Sequence, residues 1–352
     1  MDQHHERRRA AEHDAAGRHE EAINALAVAA QAGDAEATAE LAQRLLVGDR
    51  APYMPVQGAG LLADAAGGGS VDAMLCLACL IALGAHVPQS WNAAFGWLVR
   101  AAELGSEPAR GQLRLLSRQS ATDSGEADWR ELARAIDVAS WLSPPSGRTL
   151  HDAPLIRHFP SLLEPTLCDW LIQKARPWLR PAMIYSGESA HDTVDEMRTN
   201  SVAVWTLCRM DLVNVVLQYQ IAAACGMPLD NLEAPTALRY KVGEQITNHY
   251  DYLNPRSPSY RTEIATRGER VITFLTYLND DYDGGATDFP VLKVRHKGKR
   301  GDGLFFWNAL PTTATDDRAL HAGLPPTRGE KWLVSQFVRS KAVFNTPAEN
   351  VA

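Results

Sequence analysis

Small and apolar residues recur every 36 positions through the first third of the chain. Ala29-Ala30-Gln31-Ala32-Gly33, Ala65-Ala66-Gly67-Gly68-Gly69 and Ala101-Ala102-Glu103-Leu104-Gly105 mark three successive units. Ala37, Ala73 and Ala109 keep the register, as do Leu41, Leu77 and Leu113, and Gly48 and Gly84 in the first two units. This period suits two helices of about 12 to 15 residues joined by two turns. Alanines at fixed places let helices approach closely, and glycines end them where a left-handed backbone is needed. The pattern predicts repeated helix-turn-helix units over residues 1–118.

Residues 119–128 are small and polar and read as a linker. A helix is predicted over 129–141, and the Ser143-Pro144-Pro145-Ser146-Gly147 run breaks the chain again. Past Leu150 the texture changes. Helical patterning persists at 165–178 and 211–225. Short β-branched and aromatic runs at 202–207, 271–278, 303–307 and 331–338 read as strands separated by Gly, Asn, Asp and Pro. An α+β multidomain chain is expected: repeats over 1–118, a linker with a short helix over 119–149, and an antiparallel barrel or jelly roll with flanking helices over 150–345. Residues 346–352 read as a tail.

Hydrophobic residues make up 45% of the chain, enough for real cores, yet no run approaches the roughly 20 apolar residues of a membrane span. The charged N-terminus lacks the apolar stretch of a secretory signal. Five cysteines spread over 352 residues do not form a disulfide framework, so a reducing, cytoplasmic setting is expected. Cys76 and Cys79 lie in an apolar helical stretch and read as buried thiols rather than a metal pair. The net charge of −7 argues against nucleic acid as a partner. The basic run Lys293–Arg300 does not reverse this: it reads as a solvated hairpin with Gly298 and Gly301 as turn residues.

The chemistry concentrates in Asn248-His249-Tyr250-Asp251. In an extended backbone His249 and Asp251 share a face, because side chains alternate with period two. His321, just before the Gly323-Leu324-Pro325-Pro326 turn, supplies a third donor. Two His and one carboxylate on one face make the triad that holds non-haem Fe(II) with open positions. Lys331, ten residues after His321, is a cation placed to pair with a distal carboxylate. Tyr240, nine residues before His249, can donate a hydroxyl to the same group.

The surrounding motifs carry a resemblance. In order, they are Met197-Arg198-Thr199-Asn200-Ser201, Arg239-Tyr240-Lys241-Val242-Gly243-Glu244-Gln245 and His249-Tyr250-Asp251. Then come Arg270-Val271-Ile272-Thr273-Phe274-Leu275-Thr276-Tyr277-Leu278-Asn279-Asp280 and Gly284-Gly285-Ala286-Thr287-Asp288-Phe289-Pro290. The last are Gly301-Asp302-Gly303-Leu304-Phe305-Phe306-Trp307-Asn308, His321-Ala322-Gly323 and Lys331-Trp332. From about 154 to 341 the chain resembles the prolyl 4-hydroxylase branch of the 2-oxoglutarate/Fe(II) dioxygenases. Residues 20–118 resemble Sel1-like repeats, relatives of the tetratricopeptide family, which implies an N-terminal α-helical solenoid.

The resemblance implies a double-stranded β-helix (jelly-roll) oxygenase domain using Fe(II), 2-oxoglutarate and O₂, with ascorbate as reductant. It implies His249, Asp251 and His321 as metal ligands, and Lys331, Tyr240 and Thr287 as contacts to the C5 carboxylate of 2-oxoglutarate. It further implies that 2-oxoglutarate is decarboxylated to succinate and CO₂ while a substrate is hydroxylated. Arg198, Tyr252 and Trp307 are the substrate-side candidates, although Trp307 also reads as core and Arg198 as a structural ion pair. Two departures fall near the substrate side: Ile246 stands where an aromatic is common, and Thr315-Asp316-Asp317-Arg318 replaces the usual approach to the distal His.

The leading expectation is hydroxylation of a protein or peptide, at proline, gripped in part by the repeats, with no nucleic-acid or membrane partner. The alternatives are the same chemistry on a small molecule such as a free amino acid, and a catalytically silent repeat adaptor.

Overall fold

The helices of the N-terminal part keep the spacing read from the sequence. In the computed structural model, which describes residues 3–119, 128–183, 197–309 and 315–343, α1 (Gln3–Ala15) precedes three helix pairs. These are α2 (His19–Gln31) with α3 (Ala35–Val47), α4 (Pro55–Gly67) with α5 (Val71–Leu83), and α6 (Trp91–Glu103) with α7 (Glu107–Leu116). Each pair restarts 36 residues after the last. Leu26, Leu62 and Leu98 occupy equivalent places and are all buried, as are Ala37, Ala73 and Ala109.

The second helix of each pair starts from an equivalent cap. The Asp34 carboxylate accepts from the Glu36 and Ala37 amides, Ser70 Oγ from Ala73 and Ser106 Oγ from Ala109. A cap of this kind satisfies a helix N–H that has no partner within the helix. Gly33, Gly69 and Gly105 precede these caps with φ of +88°, +103° and +94°, a conformation that costs any other residue more. Cys76 and Cys79 are buried on α5. Residues 120–127, most of the expected linker, and the 346–352 tail lie outside the described residues.

The helix predicted over 129–141 is two helices, α8 (Trp129–Ala135) and α9 (Val138–Leu142). Ile136 between them is extended, with ψ of 113°. Asp137 stands just before α9, where an acidic residue favours a helix start over continuation.

The described residues group into two compact units, one from 3–119 and 128–138 with 206–215, and the other from 139–183, 197–205, 216–309 and 315–343. The second holds the strands. β1 (Arg148–Asp152), β2 (Leu155–Phe159), β3 (Arg180–Pro181), β4 (Ser201–Val204), β5 (Thr236–Tyr240) and β6 (Ile246–His249) come first. β7 (Arg270–Tyr277), β8 (Asp283–Gly284), β9 (Thr287–Phe289) and β10 (Val294–His296) follow. The set closes with β11 (Gly303–Trp307), β12 (His321–Gly323), β13 (Pro326–Arg328) and β14 (Lys331–Arg339). The larger sheet runs β1-β2-β11-β7-β14-β5-β4-β3 and the smaller β10-β9-β12-β6, with every pairing antiparallel. This is the jelly roll with flanking helices: α10 (Pro165–Ala175), α11 (Leu212–Cys225) and α12 (Pro258–Arg267). The strand expected over 202–207 stops at Val204, and residues 207–209 form a 3₁₀ turn instead. Among the described residues no helix is long and apolar enough to cross a membrane.

Alternation along the strands divides the larger sheet into two faces. Tyr240, Leu275, Tyr277, Leu304, Phe306 and Leu333 point inward and form one core with Phe289 of the smaller sheet. On the opposite face Gln336 meets Gln218 of α11, whose amide donates to Gln336 Oε1 at 3.3 Å.

A buried charge network closes one end of the sheet. Glu233 accepts two hydrogen bonds from Arg270, at 2.8 and 3.0 Å, and another from Arg339. Arg339 is fully buried, pairs also with Glu263 of α12 and donates to the Gly268 carbonyl at 2.8 Å. Burial alone would push the Glu233 carboxyl up, but Arg270 and Arg339 outweigh it and hold it at about 2. Glu233→Ala is therefore expected to lower stability by about 3–5 kcal/mol, because Arg270 loses its carboxylate partner and Arg339 one of its two inside the fold. Chemical denaturation at pH 7 measures this loss. A variant as stable as the native protein would show that the network contributes nothing net.

Candidate metal centre

β6 and β12 pair so that His249 stands opposite His321. Their rings lie 4.3 Å apart, centroid to centroid. β6 ends at His249, and Asp251 sits two residues on in a bend, so the turning chain rather than strand alternation brings its carboxylate back. Asp251 Oδ1 is 3.4 Å from His249 Nε2, and Oδ2 is 3.3 Å from His321 Nε2. One ligand atom from each of the three lies within 4.8 Å of the others, the only such His, Cys, Asp and Glu cluster among the described residues.

Each imidazole is oriented by its own backbone. His249 Nδ1–H donates to the Thr247 carbonyl at 2.7 Å, and His321 Nδ1–H to the Ala319 carbonyl at 3.0 Å. Both Nε2 atoms then face Asp251, and loss of a proton there would free a lone pair for a metal. Phe289 and Phe306 frame His321 at 5.6 and 4.7 Å. Burial pushes the Asp251 carboxyl up, but the His321 and His249 imidazoles beside it hold it well below its ordinary value. Once both imidazoles give up a proton, the site offers one anionic oxygen and two neutral nitrogens, a set that suits a divalent transition metal.

Beside the cluster lies an unpaired cation. Lys331 and Tyr240 are register partners across β14 and β5, and Lys331 Nζ sits 5.0 Å from the centroid of the Tyr240 ring. Lys331 is fully buried, and its Nζ has no hydrogen-bond partner. Burial pulls its pKa down to about 7. A buried ammonium without a partner is costly, so the arrangement fits an anion that completes it. Thr287 lies on β9 with its Oγ1 3.0 Å from the Tyr277 hydroxyl. The cluster and this cation together fit iron and a dicarboxylate.

The substrate-side candidates are placed differently. Arg198 forms a bridge to Ile246 and donates from Nε to Asn200 Oδ1 at 3.2 Å, and its charge is felt at both Tyr240 and His249. Tyr252 stacks on Tyr250 at 4.8 Å and donates to Asp317 Oδ1 at 3.0 Å. Burial and Asp317 push its hydroxyl up to about 12. That bond joins the segment after Asp251 to the approach to His321. Trp307 is not brought to the cluster: it pairs with Ile272 and packs edge-on against Phe305, on the face opposite Phe306. The stretch read as a loop after Asp251 contains α12, anchored by Leu253 N–H to Glu269 at 2.7 Å. Of the basic run, residues 294–296 form β10, with Arg295 paired to Asp288 at 2.8 Å.

Two residues at the cluster were not singled out by sequence reasoning. Thr273 Oγ1 donates to Asp251 Oδ2 at 2.7 Å, and Asn308 Nδ2 donates to Thr273 Oγ1 at 2.7 Å. Both lie inside motifs that carry the family resemblance, but Thr273 passes for an ordinary β-branched strand residue.

A jelly roll with a His-Asp-His cluster beside a buried unpaired lysine defines a 2-oxoglutarate-dependent dioxygenase. Residues 235–339 match the sequence profile of the 2OG-Fe(II) oxygenase superfamily. A putative prolyl 4-hydroxylase of Acanthamoeba polyphaga mimivirus is 30% identical over 182 residues, covering 51% of this chain and 72% of that protein. Probable prolyl 4-hydroxylase 9 of Arabidopsis thaliana is 25% identical over 248 residues, 65% of this chain and 83% of that one. The crystal structure of the viral collagen prolyl hydroxylase of Paramecium bursaria Chlorella virus-1 is 27% identical, covers 55% of this chain and 99% of that one, and superposes with a TM-score of 0.43. The chain belongs to the prolyl 4-hydroxylase family of 2-oxoglutarate/Fe(II) oxygenases. Enzymes of that family use Fe(II), 2-oxoglutarate and O₂.

Proposed function

We propose that this enzyme hydroxylates a prolyl residue in a protein or peptide. The supporting observation is its likeness, over 182 and 248 residues, to proteins described as prolyl 4-hydroxylases. His249, Asp251 and His321 hold the iron, through Nε2 of each imidazole and one carboxylate oxygen. Lys331, Tyr240 and Thr287 receive the C5 carboxylate of 2-oxoglutarate. Iron and 2-oxoglutarate supply the oxidising chemistry: O₂ and 2-oxoglutarate give succinate and CO₂, and one oxygen atom enters a substrate C–H bond. The chain itself binds, orients and keeps water out. Phe289, Phe306 and Tyr240 wall the site with apolar surface, and Arg198 and Tyr252 stand on its substrate side. Residues 1–118 act as a gripping surface for the polypeptide, and 150–345 as the catalytic module.

The test uses the full chain with Fe(II), 2-oxoglutarate, ascorbate and proline-containing peptides of increasing length, with mass spectrometry locating the added oxygen. Succinate formation coupled to hydroxyproline, with KM falling as the peptide lengthens, is the expected result. Free proline or another free amino acid turned over as well as any peptide would overturn the polypeptide reading in favour of a small-molecule hydroxylase. Iron binding with no substrate-coupled turnover in any case would favour the silent adaptor.

A further inference from the structure

Thr273 and Asn308 form a directed hydrogen-bond relay that ends on the metal-binding carboxylate. We infer that this relay reserves one oxygen of Asp251 for the protein and presents the other to the metal. Thr273 and Asn308 are then positioning residues for the iron site. This rests on the assignment of iron to His249, Asp251 and His321.

The direction of the relay follows from donor and acceptor chemistry. The ionised Asp251 carboxylate can only accept. At 2.7 Å from Oδ2, the Thr273 hydroxyl must spend its single hydrogen on that oxygen. Thr273 Oγ1 is then an acceptor toward Asn308, so Asn308 has to present its NH₂ group, as it does at 2.7 Å. The opposite amide orientation would set two acceptors facing each other. The amide keeps its orientation although Asn308 Oδ1 has no partner. Asn308 is itself fixed by its backbone, which donates to the Val271 carbonyl at 2.8 Å and accepts from Asp316 N–H at 3.2 Å. Thr273 is 1% and Asn308 0% exposed, so water does not compete for either.

The consequence concerns how many metal positions the protein occupies. A carboxylate that binds through both oxygens takes two positions, and one that binds through a single oxygen takes one. With two imidazoles, single-oxygen binding would leave three positions of a six-coordinate metal open for 2-oxoglutarate and O₂. Occupying Oδ2 with a charge-assisted hydrogen bond at 2.7 Å favours that single-oxygen mode. The strand register supports it: Thr273 is the partner of Phe306, on the inward face, while Asn308 follows directly from the end of β11.

The experiment is an anaerobic titration of the full-length protein. Fe(II) is added at saturating 2-oxoglutarate while the visible charge-transfer band of the chelate is recorded, and Co(II) affinity is measured separately by calorimetry. Thr273→Val is expected to weaken metal binding by about 10–100-fold and to shift or broaden the band, with Thr273→Ser restoring both. Asn308→Ala leaves the hydroxyl in place and is expected to weaken metal binding less, by about 3–10-fold, and to add nothing in the Thr273→Val background. Native metal affinity and band shape in Thr273→Val would overturn the inference. If Thr273→Val does not fold, native affinity in Asn308→Ala overturns it equally. Absence of any metal-dependent band in the unaltered protein would instead defeat the iron assignment beneath it.

Discussion

Lys331→Met is expected to raise the 2-oxoglutarate concentration for half-saturation by about 100-fold, while leaving the metal-free protein no less stable than the native one. The two halves have a common origin. Lys331 is fully buried and its ammonium has no hydrogen-bond partner. Truncating one partner of a buried charge pair costs about 2–5 kcal/mol in a complex, and about 3 kcal/mol corresponds to the expected loss. In the free protein the same cation is a burden, so replacing it with an apolar chain of similar length relieves desolvation. Succinate assays and calorimetric melting read the two effects separately. A variant that loses 2-oxoglutarate affinity only because it has unfolded would show a depressed melting temperature.

The same residue predicts a proton linkage. Burial places the Lys331 pKa at about 7, below its ordinary 10.5. Between those values the unfolded chain binds more protons than the folded one, so Lys331 makes the free protein more stable as pH rises from about 7 towards 10.5. That contribution is lost as pH falls back through about 7. Ligand binding works in the other direction: a carboxylate beside the ammonium raises its pKa, so binding above pH 7 takes up a proton. Affinity for 2-oxoglutarate is expected to fall by about tenfold per pH unit above 7, until the pKa of the complex is passed. Calorimetry at pH 8 in buffers of different ionisation enthalpy should report nearly one proton taken up. None taken up would mean that Lys331 is already charged in the free enzyme.

Much of this arrangement is legible in the sequence because it is periodic. The 36-residue spacing of Ala37, Ala73 and Ala109 is also the spacing of the helix pairs, since each residue meets the same neighbours in its own repeat. Strands at 270–277, 303–307 and 331–339 follow from runs of β-branched and aromatic residues. The nine-residue and ten-residue spacings of Tyr240 and Lys331 from their histidines place them on neighbouring strands, where the structure makes them register partners.

The features without a sequence signal are not periodic. Asp251 reaches the cluster through a bend after His249, and strand alternation gives the right partners for a different backbone reason. Thr273 is 22 residues from the carboxylate it serves, and Asn308 35 residues from Thr273. Nothing local distinguishes that hydroxyl from the other β-branched positions of its strand. The break at Ile136 and the end of β4 at Val204 also lack the glycine or proline that would announce them. Trp307 shows the opposite failure: its place in a motif beside the site says nothing about which face of the strand it takes.

The largest loss is expected at the cluster itself. Outer partners of metal ligands are worth about 10–100-fold in affinity or activity, so removing a ligand should cost about 1,000-fold or more. His321→Ala is the sharpest choice. His321 is buried, oriented by the Ala319 carbonyl and packed between Phe289 and Phe306, and among the described residues the His, Cys, Asp and Glu cluster holds only His249 and Asp251 besides it. Truncating it also removes the main imidazole that keeps Asp251 ionised against burial. The remaining pair, His249 and Asp251, offers two donors, too few to hold a divalent ion firmly in competition with water. Metal analysis after dialysis should find the native protein loaded with Fe(II) under anaerobic conditions and His321→Ala nearly empty. Succinate formation should fall in parallel. Chelator-treated native protein should regain activity with Fe(II) but not with Zn(II), which has no accessible redox change. Activity that survives His321→Ala, or that Zn(II) restores, would place the chemistry somewhere other than this cluster.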